Sequence, residues 1–258
     1  MAVWIDMKFA LVEGIRQEAT TGAHGLCPGC SSFVIAKCGE IRLHHWAHLS
    51  TRVCDPWREK ETEWHRGWKN EFPVEWQEVW HRAPSGEIHI SDVTTANGTV
   101  LEFQHSPITP LEKASREAFY RPMAWVVNGA RLKRDLPSFC SALTDASSVG
   151  TEVRAWLVRS GTSLIVDRWA GGFYPVFLDF GDAVFPPRWL PTTGLLWWLR
   201  YVPKLGAIAT PVLRQSVVDH YRMGTPIRGL KAIAPTRRPG LPGFEAHLAG
   251  KRGRRARF

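Results

Sequence analysis

The dipeptide Asn97-Gly98 constrains the fold of this chain more than any other feature of its sequence. It separates two runs in which apolar and polar residues alternate, residues 87–95 and 99–104. Alternation of this kind predicts β-strands, and Asn-Gly between two such runs predicts a type I′ hairpin turn, because both residues tolerate a positive φ. We therefore expect the two strands to lie side by side as an antiparallel pair.

The hairpin lies in a segment, residues 56–130, with a regular order of predicted elements. Proline suits the first turn of a helix, so Pro56 and Pro110 each predict a helix start. The predicted order is a helix over residues 56–72, a strand over 74–81, the two hairpin strands, a helix over 110–120 and a buried strand over 123–127. This order predicts a mixed α/β (α+β) fold with an αβββαβ core.

Composition divides the chain into four parts. Residues 1–55 predict an N-terminal β-rich domain, 56–130 the core, 131–221 a mixed α/β region and 222–258 a basic tail rich in Arg, Pro and Gly. In the third part we predict helices over 133–143 and 205–221, and strands over 152–158, 163–169 and 175–180.

Charge points to a polyanionic partner. The 258 residues carry a net charge of +9, with 44% hydrophobic residues, so a disordered or low-complexity chain is excluded. Residues 1–10 contain Asp6 and Lys8 and show no apolar signal-peptide core, and the apolar run 195–202 is short and contains Arg200. We expect a cytoplasmic protein without membrane partners.

Four residues in the first part have the spacing of a structural zinc site. Cys27-Pro28-Gly29-Cys30 places two thiols on one tight turn, and His48 and Cys54 follow. Thiolate and imidazole are the ligands that zinc prefers in closed tetrahedral sites. His44, His45 and Cys38 are alternative fourth ligands, and a redox-active cysteine pair or unpaired buried cysteines are the alternative interpretations.

The hairpin carries a second candidate site. Asp92 lies on one predicted strand, and Glu102 and Gln104 share one face of the next. Two carboxylates on neighbouring strands form a hard-oxygen site for Mg²⁺ or Mn²⁺, an ion that can activate water for phosphodiester cleavage.

Two helical stripes flank this site in sequence. Glu61, His65 and Lys69 are spaced by four residues, as are Arg116 and Tyr120. Taken alone, the first stripe is more typical of a surface charge ladder and the second of a packing pair. In the order of elements given above, they are candidates for positioning phosphate and water.

These motifs, taken in sequence order, resemble the competence protein CoiA-like family, a branch of the PD-(D/E)XK nuclease superfamily. The matching pieces are Cys27-Pro28-Gly29-Cys30, His45-Trp46-Ala47-His48, Glu61-Thr62 with His65 and Lys69, Ser91-Asp92-Val93, Leu101-Glu102-Phe103-Gln104 with Ser106, and Arg116 with Tyr120. The resemblance covers residues 25–130. It does not extend to the second half of the chain.

The resemblance implies a restriction-endonuclease-like core in which Asp92 and Glu102 bind the catalytic metal. Gln104 stands where the wider superfamily usually has lysine, and the CoiA-like branch is similar in having glutamine there. Because glutamine carries no positive charge, Lys69 or His65 is the candidate for polarising the attacking water. Thr62 replaces the more common serine.

These observations leave three functional hypotheses. The first is a metal-dependent nuclease acting on DNA, with Arg116 pairing with phosphate or with a site carboxylate, and with Lys251, Arg252, Arg254 and Arg255 of the tail binding nucleic acid. The second is a non-catalytic nucleic-acid-binding adaptor on a nuclease-like scaffold. The third is a protein-interaction module.

Overall fold

The computed structural model describes residues 6–49, 54–150, 152–186 and 189–231. They form a small N-terminal β-sheet and a larger sheet with helices on both faces. The predicted mixed α/β class with a β-rich N-terminal region is confirmed. The candidate tail residues Lys251, Arg252, Arg254 and Arg255 lie outside the described residues.

The N-terminal sheet has five strands in the order β2-β1-β3-β4-β5, each antiparallel to its neighbours. Glu13 and Gly14 both adopt positive φ, 51° and 79°, in the tight turn between β1 and β2. Met7, Val34 and Trp46 are fully buried beneath the sheet and form its core. The strands are β1 Phe9–Val12, β2 Ile15–Glu18, β3 His24–Leu26, β4 Phe33–Lys37 and β5 His45–His48.

The large sheet has nine strands in the order β10-β11-β14-β13-β12-β9-β8-β7-β6. Strands β8, β9 and β12 are parallel to one another, and the other neighbours are antiparallel. In chain order the elements are α1 Glu63–Lys69, a 3-10 turn Val74–Trp76, β6 Gln77–Arg82, β7 Ile88–Thr94, β8 Val100–Gln104, α2 Pro110–Phe119, β9 Met123–Asn128, α3 Asp135–Asp145, β10 Ser147–Val149, β11 Ala155–Arg159, α4 Leu164–Trp169, β12 Val176–Asp179, β13 Leu195–Val202, β14 Gly206–Leu213 and α5 Arg214–Met223.

Residues 56–130 contain α1, β6, β7, β8, α2 and β9, in the order predicted from sequence. The sheet does not end at residue 130, because β12 pairs in parallel with β9 from Val176 opposite Trp125 to Asp179 opposite Asn128. The strands of residues 131–221 therefore extend the sheet that carries the candidate site.

Each face of the large sheet has its own apolar core. Tyr120, Phe139 and Trp169 pack on the face covered by α2, α3 and α4. Trp68 and Val217 pack on the opposite face, beneath α1 and α5. The sheet is thus buried between two helical layers.

The two sheets are joined by the buried carboxylate of Glu78 on β6. Its Oε2 accepts a hydrogen bond of 2.9 Å from the Lys8 amide, beside the N-terminal sheet. Its Oε1 pairs with Lys69 Nζ at 2.8 Å and with the guanidinium of Arg58. Both cations hold the pKa of Glu78 well below its usual range although burial opposes this. Removing either cation would leave this buried carboxylate with only one of its two compensating charges.

The prediction that a helix begins at Pro56 is wrong. Helix α1 begins at Glu63, and the Thr62 Oγ1 caps it by accepting a hydrogen bond from the His65 amide. The preceding segment starts with a turn at Pro56 and Trp57 and has no regular structure after it, and side-chain contacts hold its start against β7; for example, Asp55 Oδ2 accepts the Ile90 amide at 2.8 Å. Glu61 therefore precedes the helix that carries His65 and Lys69.

Three further predictions differ from the structure. The segment 163–169 forms α4 and not a strand, because its buried residues Ile165, Val166 and Trp169 follow helical spacing. The segment 205–221 begins as β14 and becomes helical only at Arg214. Residues 74–76 form a 3-10 turn, so β6 begins at Gln77.

The hairpin forms between the predicted strands, with a longer loop than predicted. The Thr95 amide bonds to the Thr99 carbonyl at 2.9 Å, which leaves residues 96–98 as the loop. Gly98 has a φ of 83°, whereas Asn97 does not have positive φ. A three-residue loop with one left-handed glycine replaces the type I′ turn, which needs two left-handed residues.

None of the helices in the described parts of the chain has the length and apolar character to cross a membrane.

Candidate functional site

The four predicted zinc ligands lie together. Ligand atoms of Cys27, Cys30, His48 and Cys54 are all within 4.8 Å of one another. The Sγ atoms of Cys27 and Cys54 are 3.9 Å apart, and Cys30 Sγ is 3.3 Å from His48 Nε2. Among the described residues, no other group of three or more His, Cys, Asp or Glu ligands meets the same spacing.

The knuckle between β3 and β4 positions Cys27 and Cys30. The Ser31 amide bonds to the Cys27 carbonyl at 2.9 Å, and Ser31 takes a positive φ of 58° that closes the turn. A Cβ on Gly29 would lie 2.2 Å from the Trp80 ring of β6, so only glycine fits there. The knuckle is thus in close contact with the large sheet through the Trp80 ring.

The donor set suits a zinc ion. A hydrogen bond from the Cys54 thiol, against the effect of burial, lowers the pKa of Cys27 to about 4, and hydrogen bonding to Cys27 raises the pKa of His48. A thiolate and a soft S₃N ligand set are what zinc requires. When bound, zinc would crosslink the knuckle, β5 and the segment around Cys54.

The alternative fourth ligands are placed elsewhere. His45 Nδ1 lies 2.8 Å from the Leu43 carbonyl, and its Nε2 faces Asp6 at 3.4 Å. Neither His44 nor Cys38 belongs to the four-residue cluster. All five cysteines are free thiols, so no disulfide pair is present among them.

Asp92 and Glu102 also meet, across an opening between β7 and β8. The ladder pairs Val93 with Leu101 and Thr94 with Val100, and then the strands separate. Beyond it, side chains replace ladder bonds: Glu102 Oε1 accepts the Asp92 amide at 3.3 Å, and Asp92 Oδ2 accepts the Phe103 amide at 2.8 Å. The predicted adjacency of the two carboxylates is present.

The opening leads into a cavity of about 30 Å³, which we call the carboxylate cavity. Its lining includes Glu59, His65, Asp92, Glu102 and Arg116. A volume of this size holds a water molecule or a single ion. Burial, and then the charge of Asp92, raise the pKa of Glu102 to about 8. A cation between the two carboxylates would relieve this repulsion.

Arg116 from α2 is buried and pairs with a site carboxylate. Its Nη1 lies 3.0 Å from Glu102 Oε2, and its Nη2 lies 2.6 Å from Glu112 Oε1. The sequence proposes either phosphate or a site carboxylate as the partner of Arg116, and in the structure its partner is the carboxylate of Glu102. Tyr120 is buried beside the Trp57 and His81 rings, in a packing role.

His65 and Lys69 reach the cavity from α1. Burial lowers the pKa of His65 to about 4, so its imidazole is neutral at pH 7, with Nδ1 bonded to Thr62 Oγ1 at 3.0 Å. Lys69 Nζ pairs with Glu61 Oε1 at 2.5 Å and Glu78 Oε1 at 2.8 Å. The predicted stripe is therefore a buried ion-pair network and not a surface ladder.

Glu59 belongs to this site although sequence analysis did not single it out. Its carboxylate contacts Gln104 Nε2 and accepts the Ser106 amide at 2.9 Å. Burial raises the pKa of Glu59. Gln104 also donates to the Ser106 carbonyl at 3.0 Å, and it is not one of the residues that line the carboxylate cavity. The only sequence signal for Glu59 is the run of charged residues 58–61, and this run has no periodicity that distinguishes Glu59 from its neighbours.

Comparison with known proteins gives one match. Residues 16–56 match the family model described as the competence protein CoiA, N-terminal domain. The matched segment contains Cys27, Cys30, His48 and Cys54, and it confirms the resemblance to the CoiA-like family there. It ends before α1, so it does not reach Asp92 or Glu102. Searches of curated proteins and of solved structures found no match.

Proposed function

We propose that this protein is a metal-dependent nuclease that hydrolyses phosphodiester bonds in DNA, with a zinc-stabilised N-terminal module. The observation that carries the proposal is the meeting of Asp92 and Glu102 over the carboxylate cavity. Their oxygens, with those of Glu59, are the hard ligands that Mg²⁺ or Mn²⁺ prefers. When bound there, such an ion would lower the pKa of a water and neutralise charge on a phosphoryl oxygen.

The chain's own groups would prepare this chemistry. Neutral His65, with Nδ1 engaged by Thr62, offers Nε2 to a water molecule; this nitrogen is 3.5 Å from Glu59 Oε2. Arg116 fixes the orientation of Glu102 from behind. Lys69 lines the cavity, but its ammonium group pairs with Glu61 and Glu78, so its contribution is electrostatic.

The test is cleavage of circular and linear DNA, single- and double-stranded, with Mg²⁺ or Mn²⁺. Wild type is compared with Asp92→Asn and Glu102→Gln, and Glu112→Gln is the matched control because it also contacts Arg116 but does not line the cavity. We expect metal-dependent cleavage that both cavity variants reduce by about a hundredfold or more and the control retains. Cleavage that survives both cavity substitutions would overturn the proposal.

The second candidate function is a non-catalytic nucleic-acid-binding adaptor. It is favoured by the ion pair of Arg116 with Glu102, since an internal cation already compensates one of the two carboxylates. This function predicts DNA binding by the wild type without cleavage in any of the metal conditions above.

A further inference from the structure

A second, much larger cavity of about 680 Å³ lies beside the carboxylate cavity. We call it the nucleotide cavity. It opens where the parallel strands β8 and β9 end, at Gln104 and Asn128, and the first turns of α2 and α4 contribute to its walls. The carboxyl ends of parallel strands are the usual position of ligand sites in open α/β sheets.

One layer of side chains separates the two cavities. Gln104 lines the nucleotide cavity and contacts Glu59, which lines the carboxylate cavity. The ring of His105 also lines the nucleotide cavity, and its centroid is 5.8 Å from that of His65. A ligand in the large cavity would therefore lie within one residue's width of the candidate catalytic groups.

The walls combine apolar surface with a polar end. Ile108, Leu132 and Trp169 contribute the apolar part. At the polar end, the Asn128 side-chain amide lies 3.0 Å from His105 Nδ1. A cavity of several hundred Å³ with apolar walls and a few fixed polar groups fits a nucleobase and its sugar.

Charge at the cavity favours an anion at its mouth. Three carboxylates line it: Glu117 pairs with Lys113 at 2.7 Å, Asp135 pairs with Arg168 at 2.7 Å, and Asp167 accepts the Gly161 amide at 3.1 Å. Arg131 and Arg134 are exposed. In the described part of the chain neither arginine has a carboxylate within 4.0 Å. These two guanidinium groups suit the phosphates that follow a bound nucleoside.

We propose that this cavity binds one unpaired nucleotide of the strand whose neighbouring phosphate lies at the carboxylate cavity. The placement of the phosphate at the carboxylate cavity rests on the proposed nuclease function. The proposal specifies a substrate class: single strands, or duplexes with an unpaired end or flap. A stacked and paired base cannot enter such a cavity without leaving the helix, and the lost stacking and pairing disfavour a closed duplex.

The test is equilibrium binding in EDTA, where no cleavage occurs, at about 0.2 M salt to weaken nonspecific phosphate contacts. The probes are a labelled single-stranded oligodeoxynucleotide and a dumbbell duplex of the same sequence without free ends. Ala114→Trp fills the cavity from an exposed position on α2; Ala118→Trp, exposed one turn further along α2 and outside the lining, is the matched control.

We expect wild type to bind the single strand about tenfold more tightly than the dumbbell, and Ala114→Trp to lose about that factor while Ala118→Trp does not. Arg131→Glu should weaken binding more than Arg121→Glu, which changes an exposed arginine outside the cavity. If Ala114→Trp does not fold, this second pair of variants tests whether the cavity contributes to single-strand binding.

Equal binding by the members of either pair, or equal affinity for the two probes, would overturn the proposal. Because the assay needs no catalysis, single-strand preference without cleavage would refute only the nuclease function. Cleavage without that preference would refute only the nucleotide cavity.

Discussion

Asp92 and Glu102 hold each other in place across the opening between β7 and β8. The Asp92 amide donates to Glu102 Oε1 at 3.3 Å, and the amide next to Glu102, that of Phe103, donates to Asp92 Oδ2 at 2.8 Å. Where β7 and β8 separate, the ladder no longer provides acceptors for these two backbone amides, and the two carboxylates accept their hydrogen bonds instead. The acidic pair is part of the sheet's own hydrogen bonding, so its geometry is fixed before any ligand arrives.

The first prediction concerns pH. Burial and Asp92 raise the pKa of Glu102 to about 8 in the folded chain, so the folded state binds its proton more tightly than the unfolded state. The contribution of Glu102 to the free energy of unfolding without divalent metal should therefore fall as pH rises from about 4.5 to 8, on the order of 2–4 kcal/mol. His65 acts in the opposite direction between about pH 4 and 6.5, because its pKa is lowered in the folded chain, so the contribution of Glu102 is the difference between wild type and Glu102→Gln. Urea unfolding across this range measures it.

Glu102→Gln should remove this contribution, and Glu112→Gln, which changes a third-exposed carboxylate, should retain it. A difference between wild type and Glu102→Gln that stays level between pH 5 and 8 would contradict the raised pKa of Glu102.

The second prediction concerns Arg116. Arg116→Met leaves the buried carboxylate of Glu102 without its cation, and such a loss costs about 3–5 kcal/mol. Thermal unfolding at pH 8 measures the cost. Glu112→Ala removes the half-buried partner of the same guanidinium and should cost less than about 1 kcal/mol. Equal costs for the two variants would show that burial of Glu102 does not matter.

The third prediction is one equivalent of zinc in the purified protein. Cys27→Ser and Cys54→Ser should each lose the metal and lower the melting temperature, because the thiolates of a structural site contribute to folding energy. Cys38→Ser is the control, since Cys38 lies in the same module but outside the cluster. Metal analysis by mass spectrometry measures zinc content; a zinc-free wild type whose stability is unchanged by chelator would refute this site.

The fourth prediction concerns the contact of the knuckle with β6. In Gly29→Ala the new Cβ would lie 2.2 Å from the Trp80 ring, so we expect a loss of about 1–3 kcal/mol in unfolding free energy. Gly39→Ala, where nothing lies within 4 Å of the added methyl, should be close to neutral.

Trp80→Ala tests the cause of that loss. If the clash is with this ring, Gly29→Ala should cost much less in the Trp80→Ala background, and the double-mutant cycle should give a coupling free energy of about 1 kcal/mol or more. A cost that is independent of Trp80 would contradict the close approach.

The parts of the fold that sequence predicts well are those with a local cause. Alternation along two adjacent runs is enough to predict that Asp92 and Glu102 lie on neighbouring strands, and the Cys27-to-Cys30 spacing is enough to identify the knuckle. The register is not predicted: the three-residue loop sets Asp92 opposite Glu102, whereas a two-residue turn would pair Asp92 with Phe103. His48 and Cys54 are two of several nearby candidates in the sequence, and the structure has both of them in the cluster.

The parts that sequence missed depend on distant partners. Glu59 has its role because of Gln104 and Ser106, which follow it by more than 40 residues. The segment after Pro56 has helical composition but forms no helix before Glu63, and its contacts are with distant residues, such as that of Glu59 with Ser106. In 163–169, a short apolar run fits a strand and a buried helix equally well, and only burial within the sheet's helical layer decides between them.

The contacts of Glu78 bear on how this chain can be cut into pieces. A fragment that begins after residue 55 would lack the Lys8 amide, which bonds to a carboxylate only 4% exposed in the intact chain. Water would then reach Glu78 and its partners Arg58 and Lys69, which line the carboxylate cavity. Truncation at the apparent boundary between the two sheets would therefore disturb the acidic centre, so both sheets have to be expressed as a single polypeptide.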